Sequence, residues 1–205
     1  MAESDVNTRS ALTAQALPTV FNAALDPTLT YLLEREGVGM MNLRGDAGKA
    51  AFGHAISAAF GVKLPSAANS LARVEAREVV WLSPDEWLLC GAQADIDAVR
   101  VALGKKLAKQ HHALNDVSGA MVRLTLCGAD AGNLLAKACT LDLHPSVWTP
   151  TSAAQTLLAK APALLLGRDA GGFDIVVRRS FVEYWWHWLL RAGAEYDLRT
   201  GRMTI

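Results

Sequence analysis

The chain has 205 residues, 51% of them apolar, and its 20 basic side chains balance 20 acidic ones. A chain of this size can bury about 70% of its unfolded surface, enough for one medium domain or two small ones sharing a core without disulfides or metals. Zero net charge excludes the strong basic field that non-specific nucleic-acid binding requires, and it gives no general attraction to an anionic membrane.

Residues 1–30 are expected to form a flexible N-terminal arm. Met1 to Pro18 mixes Glu3, Ser4, Asp5, Asn7, Thr8 and Arg9 with scattered alanines and has no continuous apolar core of a signal peptide. No apolar run approaches the ~20 residues of a membrane span, so a soluble, cytoplasmic protein is expected. The three cysteines, Cys90, Cys127 and Cys139, form no CxxC pair and no Cys/His cluster with zinc-ligand spacing. Each lies in an apolar setting and reads as a buried, reduced thiol.

The ordered body, residues 31–205, begins near Tyr31. Val38-Gly39-Met40-Met41-Asn42-Leu43 reads as a strand. Gly45-Asp46 turns the chain, with Asp46 the expected N-cap of a helix that carries Phe52, Ile56 and Phe60 on one face and stops at Gly61. Leu64 to Ser70 reads as a connection. Glu78 to Gly91 reads as a hairpin, with Ser83-Pro84-Asp85-Glu86 as its turn. Asp95 to Lys109 reads as a second helix with the stripe Ile96, Val99, Leu103 and Leu107, acids in its first turn and lysines in its last.

The order then recurs. Met121 to Leu126 reads as a strand, Asp130 to Ala138 as a helix, and Ala163–Leu166 with Phe173–Val177 as a hairpin around Gly171-Gly172. Ser180, with Glu183 three residues later, suggests a capping box opening the last helix. Gly45 to Gly128 spans 83 positions, Pro65 to Pro145 spans 80, and Asp95 to Ser180 spans 85. These offsets predict an internal duplication of strand–helix–hairpin–helix units, about residues 38–110 and 116–196. Together they would form one α+β domain with helices on one face of antiparallel or mixed sheets.

Chemistry is harder to find. Leu43 stands where a phosphate loop ending in Gly48-Lys49 needs glycine, and Ala50 replaces its hydroxyl. No GxGxxG follows a strand, and no GxSxG elbow exists. Ser118 has His111 and His112 nearby in sequence, but nothing orders them as base and orienter; the histidine pair reads as a solvated helix end. His54 reads as a partly exposed helix residue. No catalytic, cofactor-binding or metal-binding residue is therefore assigned.

The six tryptophans carry more information, because Trp185, Trp186 and Trp188 fall within four residues of one helix. Residues 185 and 188 can share a face with Phe181, whereas Trp186 points towards the side of Val182, Leu189 and Leu190. A helix apolar nearly all round needs cover nearly all round. Trp186, Val182 and Leu190 are accordingly expected to meet another protein chain. The alternative is a wholly internal core helix.

Three stretches together resemble the gamma subunit of heterotetrameric sarcosine oxidase. The first is Met41-Asn42-Leu43-Arg44-Gly45-Asp46 with the Phe52 helix, Leu64-Pro65 and Asn69. The second, most distinctive, is Trp81-Leu82-Ser83-Pro84-Asp85-Glu86-Trp87-Leu88, in which Ser83 departs from the glycine expected in many relatives. The third is Arg179-Ser180-Phe181 with the tryptophan-rich helix. The resemblance spans roughly residues 31–196. It implies a complex of alpha, beta, gamma and delta chains that oxidatively demethylates sarcosine to glycine, giving hydrogen peroxide and 5,10-methylenetetrahydrofolate. FAD, covalent FMN, NAD and the folate site are implied for the alpha and beta chains, and zinc for the delta chain. No cofactor is implied for this one.

The second half also resembles the folate-binding domain of the glycine-cleavage aminomethyltransferase superfamily, an internally duplicated α+β unit. Asp116-Val117-Ser118-Gly119, Leu126 to Ala131, Leu141-Asp142-Leu143 and Gly171 to Ile175 follow that order. There an acidic residue near the position of Asp142 serves folate chemistry. Here Asp142, followed by Leu143-His144-Pro145, reads instead as a turn cap. The resemblance thus implies an accessory subunit that holds flavin and folate domains in fixed relation. A gamma-like subunit of a related N-methyl amino acid oxidase or dehydrogenase, and a free-standing folate-binding protein, remain as alternatives.

Overall fold

The computed structural model describes residues 10–12, 15–20 and 25–204. They divide into two compact units. Gly37–Ser118 forms one, and Gly119–Thr204 with the described residues up to Glu36 forms the other. Each is a sheet with helices, so the chain has a mixed α+β fold.

After β1 (Thr30–Glu36), which belongs to the second unit, the chain enters the first. Its elements are β2 (Val38–Gly45), α1 (Ala50–Phe60), β3 (Leu71–Val74), β4 (Arg77–Ser83), β5 (Glu86–Ala92), α2 (Gln93–Lys106) and β6 (His112–Asp116). The sheet is antiparallel, in the order β3-β4-β5-β2-β6. Residues four apart lie on one helix face. Phe52, Ile56 and Phe60 of α1 therefore join Ile96, Val99 and Leu103 of α2 in one core with Met41, Leu43, Val79, Trp87 and Leu89 of the sheet. Helices thus cover one face. Gly61 ends α1 in the left-handed region (φ 77°), and its N–H donates to the Ser57 carbonyl, a conformation glycine adopts without steric cost.

Two local expectations change here. Asp46 is not the N-cap. Its Oδ1 accepts the Gly48 N–H at 2.9 Å, and this turn delays the helix until Lys49 takes the cap position. The strands β3 and β6 have no apolar run, since their sequences are Leu71-Ala72-Arg73-Val74 and His112-Ala113-Leu114-Asn115-Asp116. They lie at the sheet edges and take their conformation from the neighbours they pair with.

The second unit continues with β7 (Met121–Gly128), α3 (Ala131–Ala136), β8 (Ala153–Leu158), β9 (Ala161–Gly167), β10 (Phe173–Arg178), α4 (Val182–Ala192) and β11 (Arg199–Thr204). Its sheet runs β11-β1-β7-β10-β9-β8, antiparallel except for the parallel pair β1–β11. Leu32, Leu124, Leu126, Leu165, Phe173 and Ile175 of the sheet meet Leu134 and Leu135 of α3 and the inner side of α4. Four strands recur in the same spatial order, β3-β4-β5-β2 in one unit and β8-β9-β10-β7 in the other. In each set a helix follows the last-named strand and another follows the hairpin.

Part of the stretch read as an arm, residues 1–9, 13–14 and 21–24, lies outside the described residues. Elsewhere in it, Leu12 and Leu17 are buried in the core of the second unit. Ser10 Oγ and the Ala11 N–H both donate to the carboxylate of buried Glu34 on β1. Two leucines scattered among alanines and polar residues form no periodic pattern that would announce this contact. No helix among the described residues is long and apolar enough to cross a membrane.

Candidate functional site

The tryptophan-rich segment folds as α4, preceded by a 3-10 turn over Arg179–Phe181. Ser180 lies inside that turn, Phe181 takes the N-cap position, and no side chain caps the helix, so the expected capping box is not formed. The Arg179 N–H donates to the Ala120 carbonyl and its Nε to the Gly119 carbonyl, fixing the entry of the helix against the start of β7.

Val182, Trp185, Trp186 and Leu189 are all buried within the chain itself. This corrects the expected partner face, because Val182 and Trp186 are interior and Leu190 is only half-buried at their edge. The reason is angular. At 100° per residue, Trp185 and Trp186 are the two margins of one arc centred near Leu189, and an arc of ~100° is the ordinary width of a core-facing stripe. Adjacent tryptophans therefore need one buried face, not two.

The aromatic side chains left outside are different ones. Phe181 and Tyr184 are 37% and 38% exposed. Trp188 and Leu190 are half-buried, while His187 and Arg191 are exposed. Tyr184, His187, Trp188, Leu190 and Arg191 line a shallow groove along the outer side of α4. Buried Trp185 supports both outward rings edge-on: Tyr184 at 5.5 Å and 73°, Trp188 at 6.0 Å and 67°. The Tyr184 hydroxyl also accepts the Lys160 N–H at 3.3 Å.

A second concave region lies at the end of β2 and is lined by Arg44, Asp46, Lys49, Asp85, His111 and His112 among others. The two most distinctive sequence strings meet here, because β2 and β5 pair with Leu43 opposite Trp87. Arg44 Nη2 donates to Asp85 Oδ2 at 2.8 Å, Asn42 Nδ2 to Glu86 Oε1 at 2.7 Å, and the Gly45 N–H to the Asp85 carbonyl at 3.0 Å. The Ser83 hydroxyl donates to Asp85 Oδ1, and with Arg44 it holds the Asp85 carboxyl below its ordinary range. The Ser83 hydroxyl thus ties the end of β4 to the turn residue Asp85. Exposed pairs of this kind contribute little individually, and their arrangement ties strand ends together.

One cluster escaped the sequence reading. Asp174 on β10 is fully buried and accepts from Arg123 and Thr125 of β7 and, at 2.8 Å, from Arg168 Nη1. Burial alone raises a carboxyl pKa; the two guanidiniums outweigh it here and hold Asp174 down at about 2. The available signal was a charge, Arg123 or Asp174, within the mainly apolar run of each strand.

The remaining candidates have structural positions. Ser118 is buried, its Oγ accepting the Met40 N–H at 2.9 Å and donating to the Met40 carbonyl at 3.2 Å. The hydroxyl therefore serves β2 and is not directed at a histidine. Asp142 is exposed and accepts the His144 N–H at 2.9 Å, forming a turn. His54 is exposed on α1. Cys90 and Cys139 are buried free thiols; Cys127 is half-buried, and burial pushes its thiol pKa up. Among the described residues no group of three or more His, Cys, Asp or Glu side chains could hold a metal ion.

Residues 44–195 match the model of the sarcosine oxidase, gamma subunit family. The sarcosine oxidase subunit gamma of Corynebacterium sp. (strain U-96) is 35% identical over 163 residues, covering 78% of this chain and 76% of that protein. The Arthrobacter sp. subunit is 32% identical over 160 residues, with the same coverages. A chain of the heterotetrameric sarcosine oxidase from Corynebacterium sp. U-96, solved in complex with pyrrole 2-carboxylate, superposes with TM-score 0.75 and 33% identity, covering 84% of this chain and 88% of that one. The glycine cleavage system aminomethyltransferase T of Bartonella henselae shares the fold, with TM-score 0.62 at 12% identity over 85% of this chain and 48% of that one.

Proposed function

The chain belongs to the sarcosine oxidase gamma subunit family, and from that premise we propose that it is the accessory subunit of a heterotetrameric oxidase that demethylates sarcosine to glycine. In this reading alpha, beta and delta chains are its partners. FAD, FMN, NAD and the folate site belong to the alpha and beta chains and zinc to the delta chain, while this chain contributes no catalytic group. The products are hydrogen peroxide and 5,10-methylenetetrahydrofolate.

The observation that carries the reading is the family match over residues 44–195, joined to a superposition that covers 88% of a chain from an assembled oxidase. The role follows from physical chemistry. A reactive one-carbon unit formed at one site is captured at another only if the two sites are held in fixed relation, because positioning replaces a bimolecular encounter. A rigid subunit buried among larger chains supplies that constraint.

The two units are further proposed to descend from an internal duplication. The recurrence of strand order and of helix placement supports this, and so do the near-constant offsets along the chain. The corresponding elements differ in length, α3 having 6 residues where α1 has 11.

Co-purification from the native host tests the function. The expected preparation is yellow, contains four different chains, and releases hydrogen peroxide on addition of sarcosine. A panel of N-methyl amino acids identifies the substrate. The reading fails if the chain purifies alone and binds tetrahydrofolate by calorimetry, the behaviour of a free-standing folate-binding protein.

A further inference from the structure

We propose that the outer groove of α4, lined by Tyr184, His187, Trp188, Leu190 and Arg191, receives an apolar side chain flanked by carboxylates from another subunit of the oxidase. The inference rests on the subunit reading above and locates its docking surface, moving it from the interior residues Trp186 and Val182 to the opposite side of the same helix.

Two features of the surface support it. The outward rings are held in place before any partner arrives, since Tyr184 and Trp188 both rest edge-on against fully buried Trp185. Rigid aromatic anchors lose little conformational entropy on binding and dominate interface energetics. Trp188 and Leu190 are packed on one side against the core, leaving a concave apolar floor between them and the helix surface.

The charges on the rim identify the occupant. Of the five lining residues, Arg191 is cationic and none carries a carboxylate. The one acid in the first turn of α4, Glu183, does not line the groove. Arg191 has a planar fork suited to a carboxylate, so the complement is acidic around an apolar centre. Family membership in a heterotetramer supplies the class of partner.

The test uses the full chain co-expressed with its partner subunits, with Trp188→Ala, Arg191→Glu and Arg191→Lys variants. The wild type is expected to assemble. Trp188→Ala and Arg191→Glu should each reduce recovered partner chains at least tenfold, while Arg191→Lys keeps most of them. Thermal melts of the free variant chains should stay within a few degrees of wild type; Arg191 is exposed, so its variants test the groove even if Trp188→Ala loosens the core. Wild-type assembly should also weaken when salt is raised to about 0.5 M, because rim charges are screened. The proposal is overturned if Trp188→Ala and Arg191→Glu assemble as the wild type does, or if sedimentation shows the groove closing a dimer of this chain. Failure of the wild type to capture any subunit would instead sink the parent reading, and this one with it.

Discussion

Asp174 sets the terms at the scale of single residues. Its carboxylate lies between Arg123 and Arg168 in the interior, and removing it leaves two cations facing each other. Breaking a buried pair in this way costs about 3–5 kcal/mol, so Asp174→Asn should lower unfolding stability by that order in urea titrations. The carboxyl has a folded pKa near 2 against an ordinary value of 3.8. A depressed folded value stabilises the native state above the unfolded pKa and loses that contribution as pH falls through the folded one. The wild type should therefore lose roughly 2 kcal/mol between pH 4 and pH 2 that the variant does not. Gly128 is the backbone counterpart. It sits at φ 102°, and a Cβ there would lie 1.8 Å from the Leu29 carbonyl oxygen. Gly128→Ala should cost about 2–3 kcal/mol, measurable as a lowered melting temperature.

Helix α4 shows what a single element decides. Its buried arc holds two neighbouring tryptophans, and its outer arc holds Tyr184 and Trp188 with two basic residues. Trp186→Ala should destabilise the free chain by about 3–5 kcal/mol through the cavity it leaves. Tyr184→Ala, at 38% exposure, should change stability by less than about 1 kcal/mol. Equal losses in the two denaturation curves would contradict the assignment of faces. Apolar periodicity made the helices legible: Phe52, Ile56 and Phe60, then Ile96, Val99 and Leu103, are buried as their spacing implies. Both hairpins were legible from apolar runs around Pro84-Asp85 and Gly171-Gly172. The edge strands β3 and β6 were not, because pairing with a neighbour, not their own composition, extends them.

At the scale of the whole chain, β1 and β11 complete the second sheet from outside residues 116–196, in a parallel pair. Sequence offsets outline the recurring strands and helices but give no notice of such additions, since parallel partners lie far apart along the chain. In the proposed subunit role, function at this scale is assembly. Omitting this chain from a reconstituted oxidase should leave sarcosine-dependent peroxide formation less affected than the yield of methylenetetrahydrofolate, with free formaldehyde rising in its place. Unchanged coupling and stability without the chain would remove the positioning role.

The order of amino acids alone determined the balance of charge, the helical and strand periods, and the strings Met41 to Asp46 and Trp81 to Leu88 that mark the family. These are local properties, carried by spacing within a few residues. Tertiary structure alone decided which side of α4 turns inward, how Arg123 and Arg168 converge on Asp174, and that Leu12 reaches the core. Each of those depends on sheet register and on the space left between layers, which join residues tens of positions apart and leave no periodic trace in the chain.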